Sequence, residues 1–161
     1  MTLYLVRHGE AKSKDEDPQR RLTDAGAREV EKMAAFLQPL GLRVDAIWHS
    51  GKARSRQTAE LMAAGFAAAE GITAHDGLAP NDPVAPVKEE LERSGRSVLI
   101  AGHLPFLERL ASLLLTGDAD ARAFPLPCAG VLRLDNPGEG WVPQWMITPA
   151  AVPDPSEPDP T

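Results

Sequence analysis

Short apolar runs alternate along the chain with longer stretches whose apolar residues recur every three or four positions. Thr2 to Arg7 reads as a first strand, with Leu3 to Val6 an unbroken apolar run of the kind that is covered on both faces. Gly9 to Arg21 is polar, charged and aperiodic, and is expected to be a loop. Thr23 is a good N-cap for a helix that carries Val30, Met33, Ala34 and Leu37 at i, i+3, i+4, i+7 and ends at Pro39 and Gly41. Asp45 to His49 is a short second strand, and Ser50 is expected to cap a helix running through Arg54, Thr58 and Met62. Ile72 to His75 reads as a brief strand. Asp82-Pro83 then reads as a cap with proline at the first helical position, placing Val84, Val87 and Leu91 on one face. Ser97 to Ala101 is a second continuous apolar run, and Pro105 opens a helix with Leu107, Leu110, Ala111 and Leu114 facing inward. Ala129 to Leu134 and Trp141 to Ile147 flank Asn136-Pro-Gly as a closing antiparallel hairpin. Strands alternating with helices predict an α/β fold, a three-layer α/β/α sandwich whose sheet is mostly parallel with an antiparallel edge.

Composition narrows this picture. A chain of 161 residues supports one domain with a real core, and 43% hydrophobic with 25% charged residues is ordinary for a globular protein. The last twelve residues hold four prolines and three of the acids behind the net charge of −6. Residues 1–149 are therefore read as the domain and 150–161 as an extended or disordered acidic tail. The single cysteine, Cys128, excludes an internal disulfide framework, and no Cys/His spacing resembles a zinc site. Met1 leads straight into the first strand, and no segment reaches membrane-spanning length. The expectation is a cytoplasmic protein without a membrane or nucleic-acid partner, since the latter needs a basic face.

The candidate chemistry lies where the apolar runs stop. Two buried strands end alike, in Val6-Arg7-His8-Gly9 and Ile100-Ala101-Gly102-His103. If they are parallel neighbours, His8 and His103 emerge together at the carboxyl edge of the sheet, the usual place for a ligand in such folds. His103 also precedes a helix, whose free N–H groups favour an anion. Arg54 follows a third strand end, and the loop after the first strand adds Arg20 and Arg21. Guanidinium groups around two imidazoles suit a phosphoryl group: the forks match its oxygens, and a neutral imidazole is a nucleophile for a two-step transfer.

Arg7-His8-Gly9-Glu10, the segment Arg20-Arg21-Leu22-Thr23-Asp24-Ala25-Gly26, the stretch Ser50-Gly51-Lys52-Ala53-Arg54-Ser55-Arg56-Gln57-Thr58, and Gly102-His103 together resemble the histidine phosphatase superfamily, also called phosphoglycerate mutase-like. The length resembles its short SixA-type branch of phosphohistidine phosphatases. The resemblance implies that His8 is the phosphorylated nucleophile and that Arg7, Arg54 and His103 form the phosphate pocket. It also implies an arginine just before Leu22-Thr23 on the substrate. Arg20 matches that position, while Arg21 stands where the family pattern has proline. Ser50 is read as a helix cap and a neighbour of the pocket. No metal or cofactor is expected.

The segments around His103 and between Leu78 and Glu92 hold Asp82, Glu89 and Glu90, but none in a recognisable proton-donor motif. An alkoxide leaving group needs such an acid, and a phosphorylated imidazole needs less help. The expected substrate is therefore a phosphohistidine-bearing phosphotransfer protein. A small phosphorylated substrate hydrolysed by the same His8 is the catalytic alternative, and a phosphate-recognising binding module is the non-catalytic one.

Overall fold

A computed structural model describes residues 1–155. The chain runs β1 (Thr2–Arg7), α1 (Asp24–Leu37), β2 (Arg43–Val44), β3 (Ala46–His49), α2 (Ala53–Met62), β4 (Ala67–Ala68), β5 (Ile72–Ala74), α3 (Ala85–Ser94), β6 (Val98–Gly102), α4 (Phe106–Thr116), β7 (Val131–Asp135) and β8 (Val142–Ile147). The main sheet has the order β5-β3-β6-β1-β7-β8, and β2 pairs with β4 in a small separate ladder. β5, β3, β6 and β1 are parallel; β7 runs antiparallel to β1 and to β8, forming the expected antiparallel edge.

Alternation along β1 divides the core. Leu3 and Leu5 face one side with Val87 and Leu91 of α3 and Phe106, Leu107 and Leu110 of α4. Tyr4 and Val6 face the other, with Val30, Met33 and Leu37 of α1 and Ala59 and Met62 of α2. β6 is buried along its whole length because β3 and β1 flank it and helices cover both faces.

Local chemistry explains most element boundaries. Thr23 caps α1 as expected, its hydroxyl accepting from Gly26 N at 2.9 Å. Asn136 accepts from Gly138 N at 2.8 Å to close the β7–β8 turn, and Pro143 sits on the edge strand, where a missing N–H costs no ladder bond. Three expectations need correction. α2 starts at Ala53, not at a Ser50 cap, because the Ser50 hydroxyl is held by a histidine across the sheet edge. α3 starts at Ala85 with Val84 at its N-cap, because the Asp82 carboxylate instead accepts from Ala79 N at 2.9 Å. The packed domain continues past residue 149: Pro149–Ala151 forms a 3-10 turn and Val152 is buried against the α1 side of the core. The rest of the tail expectation, from residue 156 to 161, lies outside the described residues. Among the described residues no helix is long and apolar enough to cross a membrane.

Candidate active site

β1 and β6 are paired in parallel with Arg7 opposite Gly102, so the residues that follow them leave the sheet together. His8 N donates to Gly102 O at 2.9 Å, and the rings of His8 and His103 lie 5.2 Å apart between centroids. The expected convergence of the two histidines is present.

The loop after β1 is pressed onto α1. A Cβ on Gly26 would lie 2.2 Å from Glu10 O, and one on Gly9 would lie 3.0 Å from Gly26 O. Only glycine fits at this contact, and it fixes the path of the chain just beyond His8. His8 Nδ1 lies 2.7 Å from Gly9 O. A carbonyl only accepts, so Nδ1 carries the proton and Nε2 keeps its lone pair. Burial lowers the His8 pKa from 6.5 to about 4, with Arg54, Arg7 and Arg20 pushing in the same direction against the Gly9 bond. At neutral pH the ring is uncharged, with a lone pair on Nε2.

His103 is 1% exposed, and its Nε2 lies 2.6 Å from the Ser50 hydroxyl. That hydroxyl also accepts from Lys52 N at 3.3 Å. Nδ1 of His103 is buried without a partner among the described residues, and it is a donor when the ring accepts the Ser50 proton at Nε2. Burial, followed by the charge of Arg54, holds the His103 pKa down at about 3.

The buried side-chain polar atoms that lack a partner among the described residues are His103 Nδ1, Arg7 Nε and Arg54 Nε. All three belong to the expected pocket. An unsatisfied buried donor costs roughly 1–3 kcal/mol, so together they describe a site built to be completed by an acceptor-rich anion. The helix after His103 contributes less than expected to such an anion, because Leu107 N is already bonded to His103 O at 2.9 Å.

Asp17 separates the two adjacent arginines. The buried Asp17 carboxylate takes the Arg21 guanidinium at 2.8 Å and is held far below the usual carboxylate range by that bond. The Arg21 side chain is 54% exposed and is removed from the pocket. Arg20, at φ +50, donates through Nε to Lys12 O at 3.1 Å, and its charge acts on His8, His103 and Arg54. Ser50 lies against His103, as a neighbour of the expected pocket.

Several supports lie behind the pocket. Thr58, one turn beyond Arg54 on the same helix face, accepts from Gly9 N at 3.0 Å and donates to Arg54 O at 2.8 Å, joining the loop after His8 to the arginine helix. Ser55 accepts from Ser50 N and donates to Ala101 O, pinning the start of α2 to β6. Their i, i+3 spacing on an inward helix face was the one available signal. Arg7 Nη1 donates to Leu126 O at 3.1 Å, and Leu126 N donates to Glu108 Oε1 at 3.1 Å. A backbone carbonyl supplied from a distant loop leaves no mark in composition or periodicity. The candidate acids are engaged elsewhere or exposed: Glu90 contacts His75 Nε2 at 3.0 Å, Asp82 takes Ala79 N, and Glu89 lies on the surface.

A sequence model of the histidine phosphatase superfamily (branch 1) matches residues 3–79, the span that holds His8, Arg20 and Arg54. The chain belongs to the histidine phosphatase superfamily. Solved relatives extend the likeness to the whole fold and to the SixA-type branch. The protein histidine phosphatase SixA complexed with tungstate superposes with a TM-score of 0.81 at 23% identity, over 93% of this chain and 98% of that one. A protein from Agrobacterium tumefaciens assigned as phosphohistidine phosphatase SixA gives 0.73 at 26% identity, over 91% and 97% of the two chains. An Escherichia coli protein assigned as an alpha-ribazole-5'-P phosphatase shares the fold at 0.70 with 16% identity, over 92% and 98%. An uncharacterized protein of Picosynechococcus sp. is 43% identical over 67 residues, a match spanning 40% of this chain and 41% of that relative. As a superfamily member, this protein has the fold and residue set of a phosphatase-type hydrolase.

Proposed function

We propose that this superfamily member is a phosphohistidine phosphatase that removes the phosphoryl group from a histidine of a partner protein. One observation carries the choice of substrate. The acids read as candidate proton donors are turned to other partners, Glu90 to His75 and Asp82 to Ala79 N. An ester would have to expel an alkoxide with no enzymic acid at hand. A phosphohistidine protonated on its second ring nitrogen leaves as neutral imidazole and needs none.

The chemistry follows from the tautomers. His8 Nε2 attacks phosphorus as the substrate P–N bond breaks and its electron pair returns to the departing imidazole. Arg7, Arg54, Arg20 and His103 Nδ1–H bind the equatorial oxygens, where charge stabilisation is most useful. The phosphorylated His8 ring is then cationic, because Nδ1 keeps the proton it gives to Gly9 O. Water attacks phosphorus, the Nε2–P pair returns to the ring, and the water's proton leaves with phosphate.

Purified protein assayed with a phosphohistidine peptide and with phosphoserine tests the reading. Faster turnover of the peptide is expected, with an acid-labile, base-stable phosphoryl group trapped on His8. Rapid hydrolysis of phosphoserine with the peptide untouched would replace it with the small-ester reading.

A further inference from the structure

A concavity of about 380 Å³ opens on Arg20 and Arg54 of the expected phosphoryl site, and its charged lining residues are Lys14, Arg20, Lys52, Arg54 and Arg56, with no carboxylate among them. In a chain of net charge −6 this is a marked local reversal of sign. Of the acids in the same loop, Asp17 is committed to Arg21, while Asp15 and Glu16 keep their charge but do not line the concavity. Lys14 and Lys52 have no ion pair among the described residues, and Arg56 approaches Glu60 only at 3.8 Å between two exposed side chains, a contact worth little. Arg20 and Arg54 tie this concavity to the expected phosphoryl site.

We infer that this cleft receives acidic side chains flanking the phosphorylated histidine on the partner protein. The inference rests on the phosphohistidine reading above and specifies the surface that such a partner must present. Its chemistry favours carboxylates on a protein over a second phosphate. Lys14, Lys52 and Arg56, the members not shared with the phosphoryl pocket, are all exposed and spread between the 9–22 loop and the start of α2. A compact phosphate is usually held by converging, desolvated forks. Exposed rim charges instead steer and orient a large, oppositely charged surface.

The test compares two phosphohistidine peptides, identical except that Glu residues beside the phosphohistidine in one are Gln in the other. Each is assayed with the native protein and with a Lys14→Glu/Arg56→Glu variant. Lys52 is left intact because its charge also reaches His103. At low salt the native protein should prefer the Glu peptide by about tenfold in kcat/KM, and the preference should shrink as salt rises. The variant should lose or reverse the preference while hydrolysing phosphoramidate at the native rate. Equal rates on the two peptides, or a preference that survives in the variant, overturn the inference and leave the phosphohistidine reading standing. Faster turnover of a small bisphosphate than of either peptide overturns it in favour of a second phosphate. If neither peptide reacts while phosphoserine does, the phosphohistidine reading falls and takes this inference with it.

Discussion

The proton on His8 Nδ1 is the smallest feature on which the proposed chemistry turns. Nitrogen-15 spectra should find His8 as the Nδ1–H tautomer, with His8 and His103 uncharged down to about pH 5 and His8 gaining its proton only near pH 4. Titration of His8 near 6.5 would show that the site does not hold its ring neutral below the ordinary range. Replacement of His8 by alanine should lower turnover on the order of 10³-fold or more without loss of fold, read by activity and circular dichroism. Arg7 depends on a chain of contacts through Leu126 to Glu108. Glu108→Leu should raise KM about fivefold, the worth of one hydrogen bond of roughly 1 kcal/mol, with kcat less affected. Glu108→Gln keeps the acceptor and should restore KM. At this scale the histidines and Arg54 were legible because strand ends and helix starts are marked by where apolar runs stop. The preference for Arg20 over Arg21 came only from the family resemblance, since what separates them is Asp17, an acid that sequence pattern leaves looking like any loop carboxylate. Ser50 was noticed for the wrong reason: a serine before a helix looks like a cap until its hydroxyl is seen to face His103.

Elements hold the site by crossing contacts, chiefly Thr58 between α2 and the loop beyond His8. Thr58→Val keeps the volume but leaves the buried Gly9 N–H unpaired. It should cost about 1–3 kcal/mol in urea unfolding and lower kcat, because the Gly9 carbonyl that sets the His8 tautomer loses its anchor. Gly26→Ala drives a Cβ against Glu10 O, a backbone atom that cannot move without taking the loop along. The expected result is a stability loss of about 2 kcal/mol or more together with reduced activity. A variant as stable and active as the native protein would show that the loop yields freely. Helical faces were readable here because periodicity reports burial directly: Val30, Met33 and Leu37 of α1 and Val87 and Leu91 of α3 all point inward. Helix starts were less readable. The start of α3 was placed two residues too early, because Asp82 closes the preceding turn instead of capping the helix.

For the whole molecule, two imidazoles buried in the uncharged form couple stability to pH. The unfolded chain binds protons at these histidines near pH 6.5, whereas the native chain resists until about pH 4 and about pH 3. Over that window the unfolded state takes up more protons, so stability should be fullest above 6.5 and fall steadily as pH drops. Thermal melts from pH 7 to pH 4 should reveal the decline, and a histidine-free site (His8→Phe/His103→Phe) should flatten it. Fold class was legible from the alternation of strand and helix. Strand order was not, since β1 and β6 are neighbours separated by most of the chain and local pattern carries no term for that distance. Their pairing also sets how the catalytic geometry endures. Arg7 and Gly102 are ladder partners in the two innermost strands of the sheet, so the amides leading to His8 and His103 belong to the last part of the molecule to open. Hydrogen exchange there should proceed only through global unfolding, while the 9–22 loop exchanges separately. His8 stands at the boundary between the two, its backbone tied to the sheet through Gly102 O and its ring set by the loop beyond.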